Sequence, residues 1–321
     1  MIFIDWISTK DHINFNRAFF FSLNVNNSCC FIFSKELIVD EIRCILIKHK
    51  NGRIARTLSI IQLCWRYRND QIVFVTYDPV FLPIIFFIKK KIIVFEHNTT
   101  PEEAKLSKHF IWQKLFFRNI FRMAQFHGQL EILEKLTRHT AFVGTPLTLA
   151  DRSSVNINQS KKYFIAPSYR ASLRYLERAV PFIQGSRLVI KKSVYKKDIK
   201  SQCSGIFIDP VNRINLEEDY SNILGVIITV DSKVRGTGWF NDAIKYGIPV
   251  IITNVNANKI FKELFPGYPY INLVEINCQS LFNIKMREAI NFNATSYVTK
   301  HNSDFKKRFA ICCELAGWRN L

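Results

Sequence analysis

Residues 223–254 of the chain read ILGVIITVDSKVRGTGWFNDAIKYGIPVIITN, and this stretch decides the fold. An apolar run at 226–230 predicts a strand, and a polar turn then leads into Arg-Gly-Thr-Gly at 235–238. Residues 239–246 have a helical pattern that a glycine ends, and residues 248–253 form the next apolar strand. A strand, a glycine turn, a helix and a second strand make one unit of a parallel sheet.

This glycine turn is suited to binding phosphate. It directly precedes a helix, where free backbone N–H groups and the helix dipole favour an anion. We therefore expect Gly236, Thr237 and Gly238 to contact the phosphates or sugar of a nucleotide, with Arg235 adding a positive charge. Asp242 lies one turn into the helix, where a carboxylate can accept hydrogen bonds from a ribose. The alternative for residues 236–238 is a tight turn that needs glycine for its positive φ. The alternative for Arg235 and Asp242 is a side chain in contact with solvent only.

The same segment resembles the donor-binding segment of GT-B glycosyltransferases, especially those of the large family 4. That family typically has a tyrosine, an apolar strand, Pro-Ser, Glu-Gly-x-Gly, Glu-Ala and Gly-x-Pro-Val-Ile, in this order. The corresponding residues here are Tyr220, 226–230, Asp231-Ser232, 235–238, Asp242-Ala243 and 247–251. The first glutamate of the family falls on Arg235, the second falls on Asp242, and the spacing is one residue short. The paired acids of the family are therefore not intact.

Length and composition fit two domains with cores of their own. The chain has 321 residues, of which 48% are hydrophobic. None of the eight cysteines forms a C-x-x-C pair with the spacing of metal ligands, so we expect reduced thiols in a cytosolic protein and no metal. We expect neither a signal peptide nor a membrane span, because the longest apolar run, at 80–88, is too short to cross a bilayer.

The net charge of +19 requires an anionic partner or an anionic environment. Nucleic acid, a nucleotide-sugar together with anionic lipid, or an acidic polymer would each meet this requirement. The chain has neither zinc-finger spacing nor an RNP-type aromatic motif, so nucleic acid is not among the expected partners.

The order of predicted elements places two α/β domains in succession. In the first, residues 1–160, the predicted strands are 3–7, 30–33, 44–47, 72–76, 92–95 and 140–143. Polar residues 151–162 mark a boundary. The second domain, residues 161–295, contains the glycine turn and is expected to bind the nucleotide-sugar. Residues 296–321 form a C-terminal helix that could pack back on the first domain.

These features predict a GT-B-like fold of two doubly wound Rossmann-type domains that face a cleft. The resemblance implies a hexosyltransferase-type glycosyltransferase that moves a sugar from a nucleotide-sugar to a hydroxyl acceptor. The expected acceptor is a lipid-linked oligosaccharide of a bacterial surface polysaccharide, such as lipopolysaccharide or capsule. The nucleotide-sugar is a substrate, so no cofactor is expected, and the lack of a D-x-D motif agrees with metal independence. Two alternatives stay open: a catalytically inactive GT-B-like partner subunit and a basic nucleic-acid-binding protein.

Residues 96–98, Glu-His-Asn, follow the predicted strand at 92–95. Ligands of open α/β sheets bind beyond the carboxyl ends of the strands. The resemblance implies a histidine near the sugar and the acceptor at such a strand end, so His97 is the candidate catalytic residue, as a hydrogen-bonding partner or a base. The alternative is a loop at 98–100 that caps a helix starting with Pro101.

Residues 168–170, Ser-Tyr-Arg, follow the predicted strand at 163–166, and Arg174 comes four residues later. The resemblance implies that basic residues here hold the diphosphate of the donor. The guanidinium of Arg170 suits this role because its fork can bind two phosphate oxygens, and Arg174 is a second candidate. The alternative is solvated charge in a chain with 45 Lys and Arg.

Residues 109–126, HFIWQKLFFRNIFRMAQF, are predicted to be a basic and aromatic helix within a longer helical region at 101–136. Its basic residues recur at i, i+4 and i+8, in one narrow sector of the helix: Lys114, Arg118 and Arg122. Such a helix can lie in an anionic membrane surface, which would make the enzyme peripheral on the inner face of the cell membrane. The side chains expected to face the membrane are Trp112, Lys114, Phe117, Arg118 and Arg122. A core helix whose basic ends reach solvent is the alternative.

Overall fold

The described part of the chain divides into two compact units, Met1–Pro146 with Lys300–Leu321, and Leu147–Thr299. The computed structural model describes residues 1–6, 13–23, 29–33, 43–47, 52–88, 92–96, 108–118, 120–149, 162–167, 173–192, 204–212, 214, 216, 220–232 and 238–318. The predicted domain boundary near residue 160 lies outside these residues.

The first unit is built on a parallel sheet. Its strands are β1 (Ile2–Asp5), β2 (Cys29–Ile32), β3 (Cys44–Leu46), β4 (Ile72–Thr76), β5 (Ile92–Phe95), β6 (Phe121–Ala124) and β7 (Thr140–Phe142). Between them lie α1 (Ile13–Leu23), α2 (Arg53–Arg66), α3 (Leu82–Ile88), α4 (Lys108–Phe116) and α5 (His127–Leu133). The strand order is β3-β2-β1-β4-β5-β6-β7, and every pair is parallel.

The second unit repeats this plan. Its strands are β8 (Tyr163–Ala166), β9 (Arg187–Lys191), β10 (Phe207–Val211), β11 (Ile223–Ile228), β12 (Val250–Ile252) and β13 (Ile271–Asn272). The helices are α6 (Leu173–Leu176), α7 (Gly238–Lys245), α8 (Val255–Leu264) and α9 (Gln279–Ile290). The last helix, α10 (Ala294–Leu315), begins in this unit, and its residues from Lys300 onward belong to the first unit. The parallel order β10-β9-β8-β11-β12-β13 confirms the prediction of two doubly wound α/β domains.

The sheet of the first unit is covered on both faces, so its central strands are continuous apolar runs. One face packs against α1 and the end of α10, and the opposite face packs against α2, α3 and the residues just after α4. On α10, the rings of Phe305 and Phe309 each lie 5.7 Å from the ring of Phe19 on α1. His301 Nε2 lies 2.7 Å from the carbonyl oxygen of Thr145. The C-terminal helix therefore completes the core of the first unit.

The predicted helix at 109–126 is wrong beyond Phe116. Strand β6 follows α4 after a short turn and pairs with β5 and β7. Phe121 and Met123 belong to one face of the sheet, whereas the Arg122 guanidinium packs over Phe117 on the other face. This alternation with a period of two is that of a strand. The basic spacing of i, i+4, i+8 therefore does not form one helical sector.

Candidate functional site

The second unit has a topological switch point at its centre. The chain runs from β8 outward to β9 and β10, and then returns to the other side of β8 to build β11, β12 and β13. Where the strand order reverses in this way, a crevice forms outside the carboxyl ends of the two central strands. The carboxyl ends of β8 and β11 are therefore the candidate ligand site. In the chain, the Arg-Gly-Thr-Gly segment connects β11 to α7.

Asp231, which follows β11, forms hydrogen bonds with two other elements of the second unit. The Asp231 carboxylate accepts hydrogen bonds of 2.6 Å each from the Tyr175 hydroxyl and from Asn256 Nδ2. Arg178 Nη1 donates to the Thr253 carbonyl at 2.8 Å, and its guanidinium lies 5.6 Å from the Tyr175 ring centroid. These contacts hold the residues that follow β11 and β12 against α6, the residues after it and the start of α8.

The end of β12 is tied to β11 by side chains. Thr253 Oγ1 donates to the Ile228 carbonyl at 2.9 Å, and Asn254 Nδ2 donates to the Val230 carbonyl at 2.9 Å. The same Asn254 side chain caps α8 by accepting from the Ala257 N–H at 2.8 Å. Buried amide and hydroxyl groups thus hold the carboxyl edge of the sheet in one arrangement.

Helix α7 begins at Gly238 beside a buried lysine. Phe240 of this helix packs into the core, whereas Trp239 stays half-buried. Lys191, the last residue of β9, is buried, and its Nζ lies 5.3 Å from the Trp239 ring centroid. A cation and the N-terminus of a helix therefore lie at the same edge of the sheet, and both attract anions. The sequence analysis did not identify Lys191, because only the strand order brings β9 near α7.

The structure describes three of the predicted donor-site residues. Gly238 is the first residue of α7, and Asp242 lies one turn further along with a half-buried side chain. Arg174 belongs to α6, but its side chain is outside the described part of the structure. The remaining predicted donor-site residues outside the described ranges are Arg170, Arg235, Gly236 and Thr237.

A buried polar network lies at the carboxyl end of β5 in the first unit. Glu96 forms a 2.6 Å ion pair with Arg122, and both side chains are 0% exposed. The Tyr77 hydroxyl donates to the Glu96 carboxylate at 2.7 Å, and Arg122 Nη2 donates to Gln113 Oε1 at 2.9 Å. Burial lowers the pKa of the Arg122 guanidinium, but the attraction of Glu96 and Tyr77 outweighs burial and leaves this pKa raised. His97, the residue after Glu96, lies outside the described ranges.

Two of the predicted membrane-facing residues are not at the surface. Phe117 and Arg122 are fully buried, Arg122 because it is the partner of Glu96. Trp112 is half-buried, and its indole N–H donates to the Pro79 carbonyl at 3.0 Å. Lys114 and Arg118 are exposed. The prediction of one membrane-facing helix with all five side chains is therefore wrong for Phe117 and Arg122.

The described residues contain neither a metal-binding cluster nor a membrane-spanning helix. No group of three or more His, Cys, Asp or Glu side chains could hold a metal ion in the ranges that the structure covers. Among the helices in those same ranges, none combines the length and the apolar character needed to cross a membrane.

Solved structures of glycosyltransferases resemble the chain over nearly its whole length. Anabaena Alr3699/HepE, solved in complex with UDP and glucose, has a TM-score of 0.59 at 13% identity, covering 98% of this chain and 94% of that one. A glycosyltransferase from Rickettsia africae ESF-5 has a TM-score of 0.60 at 12% identity, with 98% of each chain covered. The lipopolysaccharide outer core galactosyltransferase WaaB, in its apo form, has a TM-score of 0.52 at 11% identity, with 98% of each chain covered.

No protein-family model and no curated protein matches the sequence. Identities this low establish the fold alone. Together with the two parallel sheets, the solved structures show that the chain has the two-domain α/β fold of GT-B glycosyltransferases.

Proposed function

We propose that this chain is a glycosyltransferase that moves a sugar from a nucleotide-sugar to a hydroxyl acceptor. The observation that carries the proposal is the edge of the second sheet at its switch point, where α7 starts after a glycine turn and beside Lys191. The neighbour HepE, which has the same fold, was solved with UDP and glucose. A nucleoside diphosphate is the kind of anion that this edge would attract.

On the donor side, we propose that the diphosphate binds between the glycine turn at 236–238 and the basic side chains of Arg170 and Lys191. The N–H groups at the start of α7 point toward such a ligand, and Arg170 can bind two phosphate oxygens. As the bond between the sugar and the diphosphate breaks, these groups would stabilise the negative charge on the leaving diphosphate. Asp242 would accept hydrogen bonds from the ribose.

Further donor contacts are proposed for Arg174 and Arg235. Each follows a strand of the second sheet and could add positive charge near the diphosphate. The chain has no D-x-D motif, so we propose that basic side chains and the helix N-terminus act on the diphosphate without a metal ion.

On the acceptor side, we propose that His97 orients the acceptor hydroxyl or takes its proton. The residue before it, Glu96, is held by Arg122 and Tyr77, and Gln129 Nε2 donates to the Glu96 carbonyl at 3.2 Å. These contacts fix the strand end from which His97 continues.

We propose that the acceptor is a lipid-linked oligosaccharide of a bacterial surface polysaccharide and that the transferred sugar is a hexose. Such a substrate would place the enzyme at the inner face of the cell membrane, in contact with anionic lipid. The presence of the lipopolysaccharide enzyme WaaB among the structural neighbours agrees with this acceptor class.

The first prediction concerns nucleotide binding. At a hundred times its dissociation constant, a nucleoside diphosphate or nucleotide-sugar should stabilise the chain by about 2.7 kcal/mol in a thermal-shift screen. Asp242→Ala should weaken the binding measured by calorimetry by about 1.5–3 kcal/mol, because the ribose loses a charged acceptor.

The matched control is Glu288→Ala, which removes an exposed helix carboxylate from the same unit. This variant should bind nucleotide like the wild type. If no nucleotide or nucleotide-sugar raises the melting temperature or gives a heat of binding in calorimetry, the proposed function fails. Tight, salt-sensitive binding to RNA or DNA in the same screen would favour the nucleic-acid alternative.

The second prediction concerns His97. His97→Ala should slow sugar transfer by about 10²-fold or more if the imidazole acts as a base, while nucleotide affinity stays unchanged. Single-turnover rates and calorimetry separate the two effects. His139→Ala, which removes an exposed imidazole from the first unit, is the control. Full activity of His97→Ala would leave residues 97–100 with a helix-capping role only.

A further inference from the structure

Helix α2 exposes a stripe of large apolar side chains. Ile54, Leu58 and Trp65 are 67%, 55% and 64% exposed, and Ile61 between them is partly exposed. The spacing i, i+4, i+7, i+11 puts these side chains on one line along the helix. Thr57, Ile60, Leu63 and Cys64 form the buried face. Ile61 packs against the edge of the core, whereas Ile54, Leu58 and Trp65 form a second apolar face that is mostly exposed.

The neighbouring helices extend this stripe. Arg53 of α2 forms an ion pair with Asp78, and Trp112 of α4 donates its indole N–H to the carbonyl of Pro79. Helices α2 and α4 therefore both contact the turn before α3. We call the exposed apolar side chains of these three helices and that turn the α2–α4 surface: Ile54, Leu58, Trp65, Val80, Ile84, Ile111, Leu115 and Phe116. Large apolar side chains exposed together on neighbouring elements mark an interaction site.

The helices that form this surface carry charges of one sign, and the described acids in the turns next to them are Asp70 and Asp78. Neither α2, α3 nor α4 contains an acidic residue. Arg66, Arg68, Lys114 and Arg118 are exposed at the ends or on the faces of these helices. Asp78, in the turn before α3, is ion-paired with Arg53. Burial raises the pKa of its carboxyl, but hydrogen bonds from the Arg53 guanidinium and the Val80 N–H outweigh burial and leave this pKa lowered. The occupant of the surface must therefore tolerate apolar contact and carry negative charge.

We propose that the α2–α4 surface docks on the face of an anionic phospholipid bilayer. Large apolar side chains would enter the boundary between headgroups and acyl chains, while the arginine and lysine heads reach lipid phosphates. The basic side chains can bury their methylene stems and still keep their charge at the headgroups. This inference deepens the membrane part of the proposed function, but it needs neither a donor nor sugar transfer.

The test is sedimentation of the full chain with vesicles of phosphatidylglycerol and phosphatidylcholine in equal parts. The wild type should sediment with them at low salt, bind pure phosphatidylcholine much more weakly, and leave the anionic vesicles as NaCl is raised. Leu58→Gln combined with Trp65→Gln should weaken vesicle binding at least about tenfold. Lys114→Gln combined with Arg118→Gln should weaken it about fivefold for each charge removed.

The matched control is Ile311→Gln combined with Leu315→Gln on α10. These two side chains are also exposed, but α10 packs on the opposite face of the first sheet. This variant should bind vesicles like the wild type. A wild type that stays in the supernatant at low salt, or an α2 variant that binds as well as the wild type, overturns the proposal. So does a wild-type dimer that the α2 variant dissociates, because a second copy would then be the occupant.

A conservative variant gives a second readout. Brominated lipid quenches tryptophans that enter the bilayer, so the wild type should show quenching, and Trp65→Phe should lose part of it while Trp112 of α4 remains. Quenching as strong in Trp65→Phe as in the wild type would place the contact elsewhere and overturn the proposal. Nucleotide binding is measured on the same samples. A chain that binds vesicles but no nucleotide refutes the proposed function alone, and the reverse result refutes the α2–α4 surface alone.

Discussion

Replacing Arg122 by leucine is expected to lower the free energy of unfolding of the first unit by about 3–5 kcal/mol. The substitution leaves the Glu96 carboxylate buried without its ion-pair partner, which stands 2.6 Å away in the native structure. A hydrogen bond from Tyr77 remains, but it does not supply a compensating charge. A buried, uncompensated charge is among the most destabilising changes that one substitution can produce.

Urea unfolding followed by tryptophan fluorescence measures this loss. Four of the five tryptophans, Trp6, Trp65, Trp112 and Trp318, belong to the first unit. Glu96→Gln combined with Arg122→Leu should recover part of the lost stability, because the charge is removed as well. Arg187→Leu, which breaks the exposed pair with Asp209, should cost no more than about 1 kcal/mol. A loss of that small size for Arg122→Leu would contradict a buried ion pair at the end of β5.

Replacing Phe309 by alanine is expected to destabilise the first unit by about 3–5 kcal/mol. The ring is 2% exposed, and it meets Phe19 edge-to-face with a centroid distance of 5.7 Å. Truncation would remove this aromatic contact and leave a cavity between α10 and the sheet.

Leu315→Ala on the same helix is the control. Its side chain is exposed, so its removal should change stability by no more than about 0.5 kcal/mol. Both variants are compared in the same urea titration as Arg122→Leu. Equal, small effects of the two substitutions would mean that α10 does not contribute to the core of the first unit.

The parallel sheets could be predicted because their strands are buried on both faces. Residues 72–75 and 223–228 have no polar side chain, and this pattern in alternation with helices is typical of a doubly wound fold. The glycine turn followed by a helix is the sequence feature behind our proposal that the second unit binds a nucleotide. Both inferences depend on short segments of contiguous sequence, where local pattern is informative.

Strand β6 could not be predicted in the same way. Its second residue, Arg122, is fully buried, and an arginine in a strand is accepted there only because Glu96, Tyr77 and Gln113 receive its N–H groups. Those partners come from three other elements of the first unit. When these partners are unknown, the spacing of Lys114, Arg118 and Arg122 fits one sector of a helix instead.

Only part of the candidate site could be predicted, because some of its residues come together only in the folded chain. Gly238 and Asp242 belong to a contiguous motif, so the sequence was sufficient to single them out. Lys191 belongs to no motif, and it reaches Trp239 because β9 and α7 come together in the folded sheet. The roles of His97, Arg170 and Arg174 stay predictions for the experiments described above.

The packing of α10 on the first sheet sets an order for folding during synthesis. Residues Met1–Pro146 of the first unit are synthesised first, but Phe305 and Phe309 of the same core are synthesised only after the whole second unit. The Leu147–Thr299 unit can close while α1 alone covers one apolar face of the nascent first sheet. We therefore expect incomplete chains to expose the side of Phe19 and Phe95 that α10 covers in the finished protein, and so to be substrates for chaperones.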